Sequence, residues 1–309
     1  MQTKPIIPIF YAADENYLPY LTVSLASLKE NANREYAYEI YVLNSGMDLS
    51  KTDKVMKLAE EDFGIHFIDV SEQMRYIQEA LQLRDYYTGA TYYRIFIANM
   101  FPQYDSALYI DSDTIVLGDI SKLCTIDLGD HFIAAVPDGA VASVPAFRLY
   151  TKEVLGIEAT EYFNAGVILM NLDQFRKNDF HGKFCDLLRK YKFRVAQDQD
   201  YLNVLCHKRT LLLGMEWNRM PIGGATSEKP EIVHYNLTLK PWHYDNILFQ
   251  EYFWEYVDKS EYRDVIHAAL ASYSDANKEN DAICEKRLIE MAIAEAQRED
   301  NYFKLYGSK

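Results

Sequence analysis

The run Tyr109-Ile110-Asp111-Ser112-Asp113-Thr114-Ile115-Val116 sets two carboxylates one residue apart inside an otherwise apolar segment. Alternate side chains of an extended chain share a side, so Asp111 and Asp113 are expected to face together. Like charges that close repel, and burying them unpaired costs several kcal/mol. A cation between them resolves the conflict. An Asp-x-Asp unit at a strand edge is a sound chelate for a hard divalent ion with oxygen ligands, magnesium or manganese. An arbitrary Asp-x-Asp is far more often a surface turn or a capping pair, but here Leu-Tyr-Ile before and Thr-Ile-Val-Leu after argue for burial.

Further polar groups stand in apolar surroundings. His234 follows the short run Ile232-Val233 and suits a third, imidazole ligand, which favours manganese over magnesium. Taken singly, a histidine there is more often a hydrogen-bonded core residue. Lys240, within Asn236-Leu237-Thr238-Leu239-Lys240-Pro241-Trp242, is a compact cation able to hold a phosphate; the bland alternative is a solvated lysine. Phe163-Asn164-Ala165-Gly166 puts an amide and a glycine just before an apolar strand. Gln197-Asp198-Gln199-Asp200 opens a helix whose positive end favours acids, with Asp198 as the expected N-cap. Arg94 sits in the apolar stretch Tyr92-Tyr93-Arg94-Ile95-Phe96-Ile97, where it is costly unless paired: a salt bridge is the bland reading, and binding a diphosphate or Asp111 the sharp one.

The elements that must position these groups alternate in type. Strands are predicted at Ile6–Ala12, Tyr38–Leu43, Ile65–Val70, Leu108–Leu117, Phe132–Val136 and Gly166–Asn171. Helices are predicted after Asn16 as N-cap (with Leu18, Leu21, Leu25 and Leu28 on one stripe), near Lys51–Phe63, at Thr91–Met100 and over Leu172–Lys192. This β-α-β order predicts an α/β fold with a mostly parallel sheet covered on both faces. Ligands of such sheets gather at the carboxyl ends of strands. Asp14, just after the first strand, and the Asp111/Asp113 pair could then reach one crevice. From about Leu248 the chain turns helical, tyrosine-rich and acidic, so residues 1–247 form the expected main domain and residues 248–309 a helical extension packed on it.

Bulk composition narrows the class. The 309 residues are 49% hydrophobic and 25% charged, with 32 basic against 46 acidic residues and a net charge of −14. That charge argues against nucleic acid or an anionic membrane as partner. Cys124, Cys185, Cys206 and Cys284 lack paired spacing and fit reduced thiols in a cytoplasmic protein. The N-terminal segment reads as a strand and less as a signal peptide, and no run reaches the ~18 apolar residues of a membrane span.

Taken in order, Tyr11-Ala12-Ala13-Asp14-Glu15-Asn16-Tyr17, Thr91-Tyr92-Tyr93-Arg94-Ile95-Phe96, the Asp111/Asp113 strand, Phe163–Leu172, Gln197–Asn203 and His234–Trp242 resemble glycosyltransferase family 8. That family includes bacterial lipopolysaccharide galactosyl- and glucosyltransferases and glycogenin. The resemblance implies a GT-A fold, with a Rossmann-like sheet, and retaining transfer of glucose or galactose from a UDP-sugar to a saccharide or glycolipid. It implies manganese, with magnesium as alternative, on Asp111, Asp113 and His234. It implies Ala12, Asp14 and Asn16 at the uridine, Lys240 on the diphosphate, and Ser112 among the donor contacts. Arg94, Asp138, Asn164, Ala165, Asp198 and Gln199 would then surround the donor sugar, with Gln199, Asp198 and Lys240 as the catalytic candidates. Leu237 departs from the pattern, since the family often has glycine in that phosphate loop.

Rival readings are a non-catalytic UDP-sugar-binding protein and a self-glycosylating enzyme of the glycogenin kind. A nucleotidyltransferase is disfavoured, because Tyr11–Leu18 lacks the glycine-rich phosphate loop such enzymes carry near the N-terminus.

Overall fold

Leu18, Leu21, Leu25 and Leu28 are all buried along the helix Leu18–Asn31, which lies against one face of the sheet. Alternation along the first two strands fits this. Ile7, Ile9, Tyr11, Tyr38, Ile40 and Val42 pack beneath that helix, while Phe10 and Leu43 face the opposite layer. In the computed structural model, which describes residues 4–77, 89–223 and 229–307, the strands are β1 Ile6–Ala12, β2 Ala37–Asn44, β3 Phe63–Asp69, β4 Ser106–Ile110, β5 Thr114–Val116, β6 Ile133–Pro137, β7 Phe163–Asn171, β8 Thr210–Leu212 and β9 Ile232–His234.

Seven of them form one sheet in the order β3-β2-β1-β4-β7-β6-β8. It is mostly parallel, the exception being β7, which runs antiparallel to both β4 and β6. This is the expected α/β sheet. Strand order reverses between β1 and β4, so a crevice opens at their carboxyl ends. A second, two-stranded sheet pairs β5 with β9 and sets Thr114 opposite His234.

Several local expectations change. The predicted strand Leu108–Leu117 breaks at Asp111–Asp113 into a turn, where the Thr114 hydroxyl donates to the Asp111 carbonyl (2.9 Å). The predicted Lys51–Phe63 helix shortens to Asp53–Met56. Gly89–Phe96 winds as a 3₁₀ helix before a single α turn at Ile97–Met100. The Leu172–Lys192 helix divides into Leu172–Lys177 and Phe180–Lys190, because Asp179 adopts a left-handed φ of 47° and caps the second helix. Asp14 is the N-terminal cap expected of Asn16: its Oδ1 accepts from the amides of Asn16 (2.9 Å) and Tyr17 (3.1 Å). Gln197, not Asp198, holds the N-cap position before Asp198–Cys206, and its side chain makes no capping bond.

The C-terminal helices include Gln250–Asp258 and the long Asp275–Gln297. Phe253, Tyr256 and Val257 pack with Val233, Tyr235 and Trp242, and Trp242 stacks on Tyr20 at 3.9 Å. That cluster holds the His234–Trp242 segment against the rest of the molecule. The four cysteines are free, and no helix among the described residues is long and apolar enough to cross a membrane.

Candidate active site and metal centre

A cavity of about 390 Å³ lies at the carboxyl ends of β1 and β4. Every residue expected at the metal, the diphosphate and the donor sugar lines it, together with Ala12 and Asp14. Asn16 does not: it stands exposed, and its backbone amide donates to Asp14 Oδ1. Ser112 is buried, and its hydroxyl donates to the Ala12 carbonyl (2.8 Å), joining the ends of β4 and β1.

The turn after β4 and the end of β9 bring Asp111, Asp113 and His234 to one point, with one ligand atom from each within 4.8 Å of the others. His234 Nε2 stands 3.2 Å from Asp113 Oδ1 and 3.7 Å from Asp111 Oδ2. Adjacent ligands of an octahedral ion at about 2.1 Å stand about 3 Å apart, so the spacing suits a small divalent cation. Two further observations support the fit. Asp113 Oδ1 is buried with no hydrogen-bond donor, an acceptor in want of a cation. A Cβ on Gly166 would come within 2.1 Å of His234 Cε1 and 2.8 Å of Asp111 Oδ2, so only glycine leaves room for the three ligands.

Basic groups surround the carboxylates. Lys240, buried, pairs with Asp113 Oδ2. Burial works against the Asp113 charge, but the Lys240 ammonium beside it holds the carboxyl well below the usual range. Arg94, 2% exposed, lies over the Tyr109 ring at 4.1 Å. It donates to the carbonyls of Thr91 (2.8 Å) and Ala165, and stands 3.4 Å from both Asp111 Oδ1 and Asp198 Oδ2. Arg94 thus has the carboxylate partners that a buried guanidinium needs, Asp111 among them.

Burial pushes the Asp198 carboxyl up to about 6 despite Arg94. At 3.4 Å, and with Nε already donating to Thr91, the guanidinium is too loosely aligned to offset desolvation. Asp138 caps the short helix Gly139–Ser143 through Oδ1, and its Oδ2 accepts from Asn164 Nδ2 (3.0 Å) and Gln199 Nε2 (3.0 Å). The Gln199 Oε1 accepts from the Ala165 amide (2.9 Å), so both ends of that amide are held.

Leu237 keeps the loop shape a glycine would give, at a left-handed φ of 51°. That conformation costs a non-glycine residue roughly 1–2 kcal/mol, a strain that collects at functional sites. Asn218, buried beside His234, escaped the sequence reading; a lone amide after Trp217 carries no spacing signal.

Among known proteins, the family model described as Glycosyl transferase family 8 matches residues 8–246. General stress protein A of Bacillus subtilis is 30% identical over 267 residues, 78% of this chain and 89% of that protein. A lipopolysaccharide 1,2-glucosyltransferase of Escherichia coli K12 is 28% identical over 265 residues, 79% of this chain and 75% of the relative. The galactosyltransferase LgtC, solved with donor and acceptor sugar analogues, superposes with a TM-score of 0.71 at 25% identity, covering 84% of this chain and 99% of its own.

Proposed function

The chain belongs to glycosyltransferase family 8, and we propose that it moves a hexose, glucose or galactose, from a UDP-sugar to a saccharide or glycolipid hydroxyl with retention of configuration and with manganese. One observation carries this reading: two aspartates and an imidazole converge on a single point beside a buried lysine, in a net acidic protein that otherwise repels a diphosphate.

Asp111, Asp113 and His234 would hold the divalent ion. When bound, it supplies positive charge to the paired phosphates of the donor. Lys240 offsets the charge that grows on the departing diphosphate. Asp14 and Ala12 border the nucleotide end of the cavity, and Arg94 keeps Asp111 and Asp198 in register. The sugar develops oxocarbenium character as its bond to phosphate lengthens, and the Asp198 carboxylate favours that charge.

Attack on the face from which the diphosphate leaves is the mechanism these contacts support. Gln199, an amide with both ends engaged, offers no nucleophile, and Asp198, 3.4 Å from Arg94, is the carboxylate that a double displacement would have to use. A smaller adjoining cavity, reached past Gln199 and Leu237 and bordered by Leu288 of the C-terminal helix, offers the acceptor a way in. The test is UDP release from UDP-glucose and UDP-galactose with manganese, with and without acceptor sugars, followed by NMR of the product anomer. An α-linked product supports the reading. A β-linked product contradicts retention, and the absence of any turnover favours a binding protein. Mass gained by the chain itself would point to self-glycosylation.

The raised Asp198 carboxyl gives a pH signature. A folded pKa above the unfolded value near 3.8 means its contribution to stability is full below that value and is lost as pH rises through about 6. Asp198→Asn removes the titration. The variant's stability relative to wild type therefore rises between about pH 4 and pH 6, by up to about 3 kcal/mol, and is flat above. Urea unfolding across that range reads it, while kcat falls at every pH.

A further inference from the structure

A buried chain of amides runs from the sugar end of the cavity to the metal ligands, and its polarity is fixed at one end. Asp138, as a carboxylate, only accepts, so Asn164 must present Nδ2 to it (3.0 Å). The Gly166 amide, which only donates, requires the same orientation, since it bonds to Asn164 Oδ1 (2.9 Å). Asn164 Oδ1 then receives Asn218 Nδ2 (2.9 Å). That choice turns Asn218 Oδ1 toward His234 Nδ1 (3.0 Å), where it accepts.

We infer that Asn218 is a positioning residue that fixes His234 in the tautomer protonated on Nδ1, so that the Nε2 lone pair faces Asp111 and Asp113. Asn218 is fully buried and held on the backbone as well. It ends the turn Met215–Asn218, and the next residue, Arg219, accepts the His234 amide through its carbonyl (2.9 Å). With the opposite tautomer an Nε2–H would occupy the point between the carboxylates and exclude a cation. Asp138 Oδ2 also accepts from Gln199, so the relay joins residues of the sugar end to the orientation of a metal ligand. Outer groups of this kind typically alter metal affinity by about 10–100-fold when removed.

The inference rests on the metal-dependent reading above, and its test separates the two. The full chain is labelled with ¹⁵N-histidine and stripped with a chelator, and its ring nitrogens are read by long-range ¹⁵N–¹H correlation, with His234→Gln to assign the signal. The expected spectrum carries a proton on Nδ1, donated to Asn218; any second proton on Nε2, which the facing carboxylates favour while no cation stands there, is displaced when magnesium is added. In Asn218→Ala the preference is lost, and manganese affinity, followed by the EPR signal of the free ion, falls about 10–100-fold. An Nε2–H tautomer in the wild type overturns the relay, as does wild-type manganese affinity in a folded Asn218→Ala. Should that variant not fold, the wild-type spectrum still decides. A wild type that binds no manganese but keeps the Nδ1–H tautomer overturns the metal-dependent reading and leaves the relay standing.

Discussion

Asp113→Asn lowers kcat/KM for UDP-sugar turnover by at least about 10³-fold, equivalent to about 4 kcal/mol of transition-state stabilisation. It also destabilises the fold. Asp113 serves two partners at once: Oδ2 pairs with the buried Lys240 ammonium, and Oδ1 faces His234 Nε2 at 3.2 Å. Removing the charge deletes a metal ligand and leaves Lys240 buried without its counter-ion, a loss of about 3–5 kcal/mol. The two effects come apart in the double variant Asp113→Asn/Lys240→Met. Taking both charges out restores most of the stability, because no unpaired ion remains, while turnover stays at the level of the single variant or below. Urea unfolding and steady-state kinetics on the three variants measure this. Recovery of activity with stability would mean that Asp113 is only the partner of Lys240.

Gly166→Ala is the second large effect, and it comes from a single methyl group. The backbone there lies outside the left-handed region, so glycine is not needed for conformation. Space requires it: an added Cβ would lie 2.1 Å from His234 Cε1, 2.7 Å from Nδ1 and 2.8 Å from Asp111 Oδ2. The imidazole cannot swing away without breaking its bond to Asn218, and Asp111 is held by Tyr109 (2.9 Å). Manganese affinity and kcat/KM are each expected to fall by about 100-fold or more, against an overpacking cost to stability of about 1–3 kcal/mol. A variant with wild-type metal affinity would mean that the ring is free to move, and that the ligands are not held as described.

Much of the molecule is legible in the sequence because its signals are local. The leucine stripe on Leu18–Asn31 and the apolar runs of β1, β2 and β7 emerge where the periodicity sets them. The carboxylate pair and His234 are visible as polar residues within apolar runs. The errors arise where a local polar bond competes with the regular element. Thr114 bonds the Asp111 carbonyl and ends β4 early, which frees β5 to leave the main sheet and meet β9. Asp179 tolerates the left-handed region and splits a helix that apolar spacing alone would continue. Asp14 caps two residues ahead of Asn16 because its carboxylate reaches both free amides of the first turn. Asn218 is illegible for a different reason, since its partners Asn164 and His234 come from separate strands and meet it only in the folded chain.

Every functional step above rests on one cation seated between β4 and β9. A manganese titration of the chelator-stripped protein, read by EPR and repeated in His234→Ala, tests it most directly. The account requires a single tight ion per wild-type chain, bound more tightly still when UDP is present, and its loss in the variant. Binding that survives without the imidazole, or a wild type that takes up no ion with or without UDP, would contradict it.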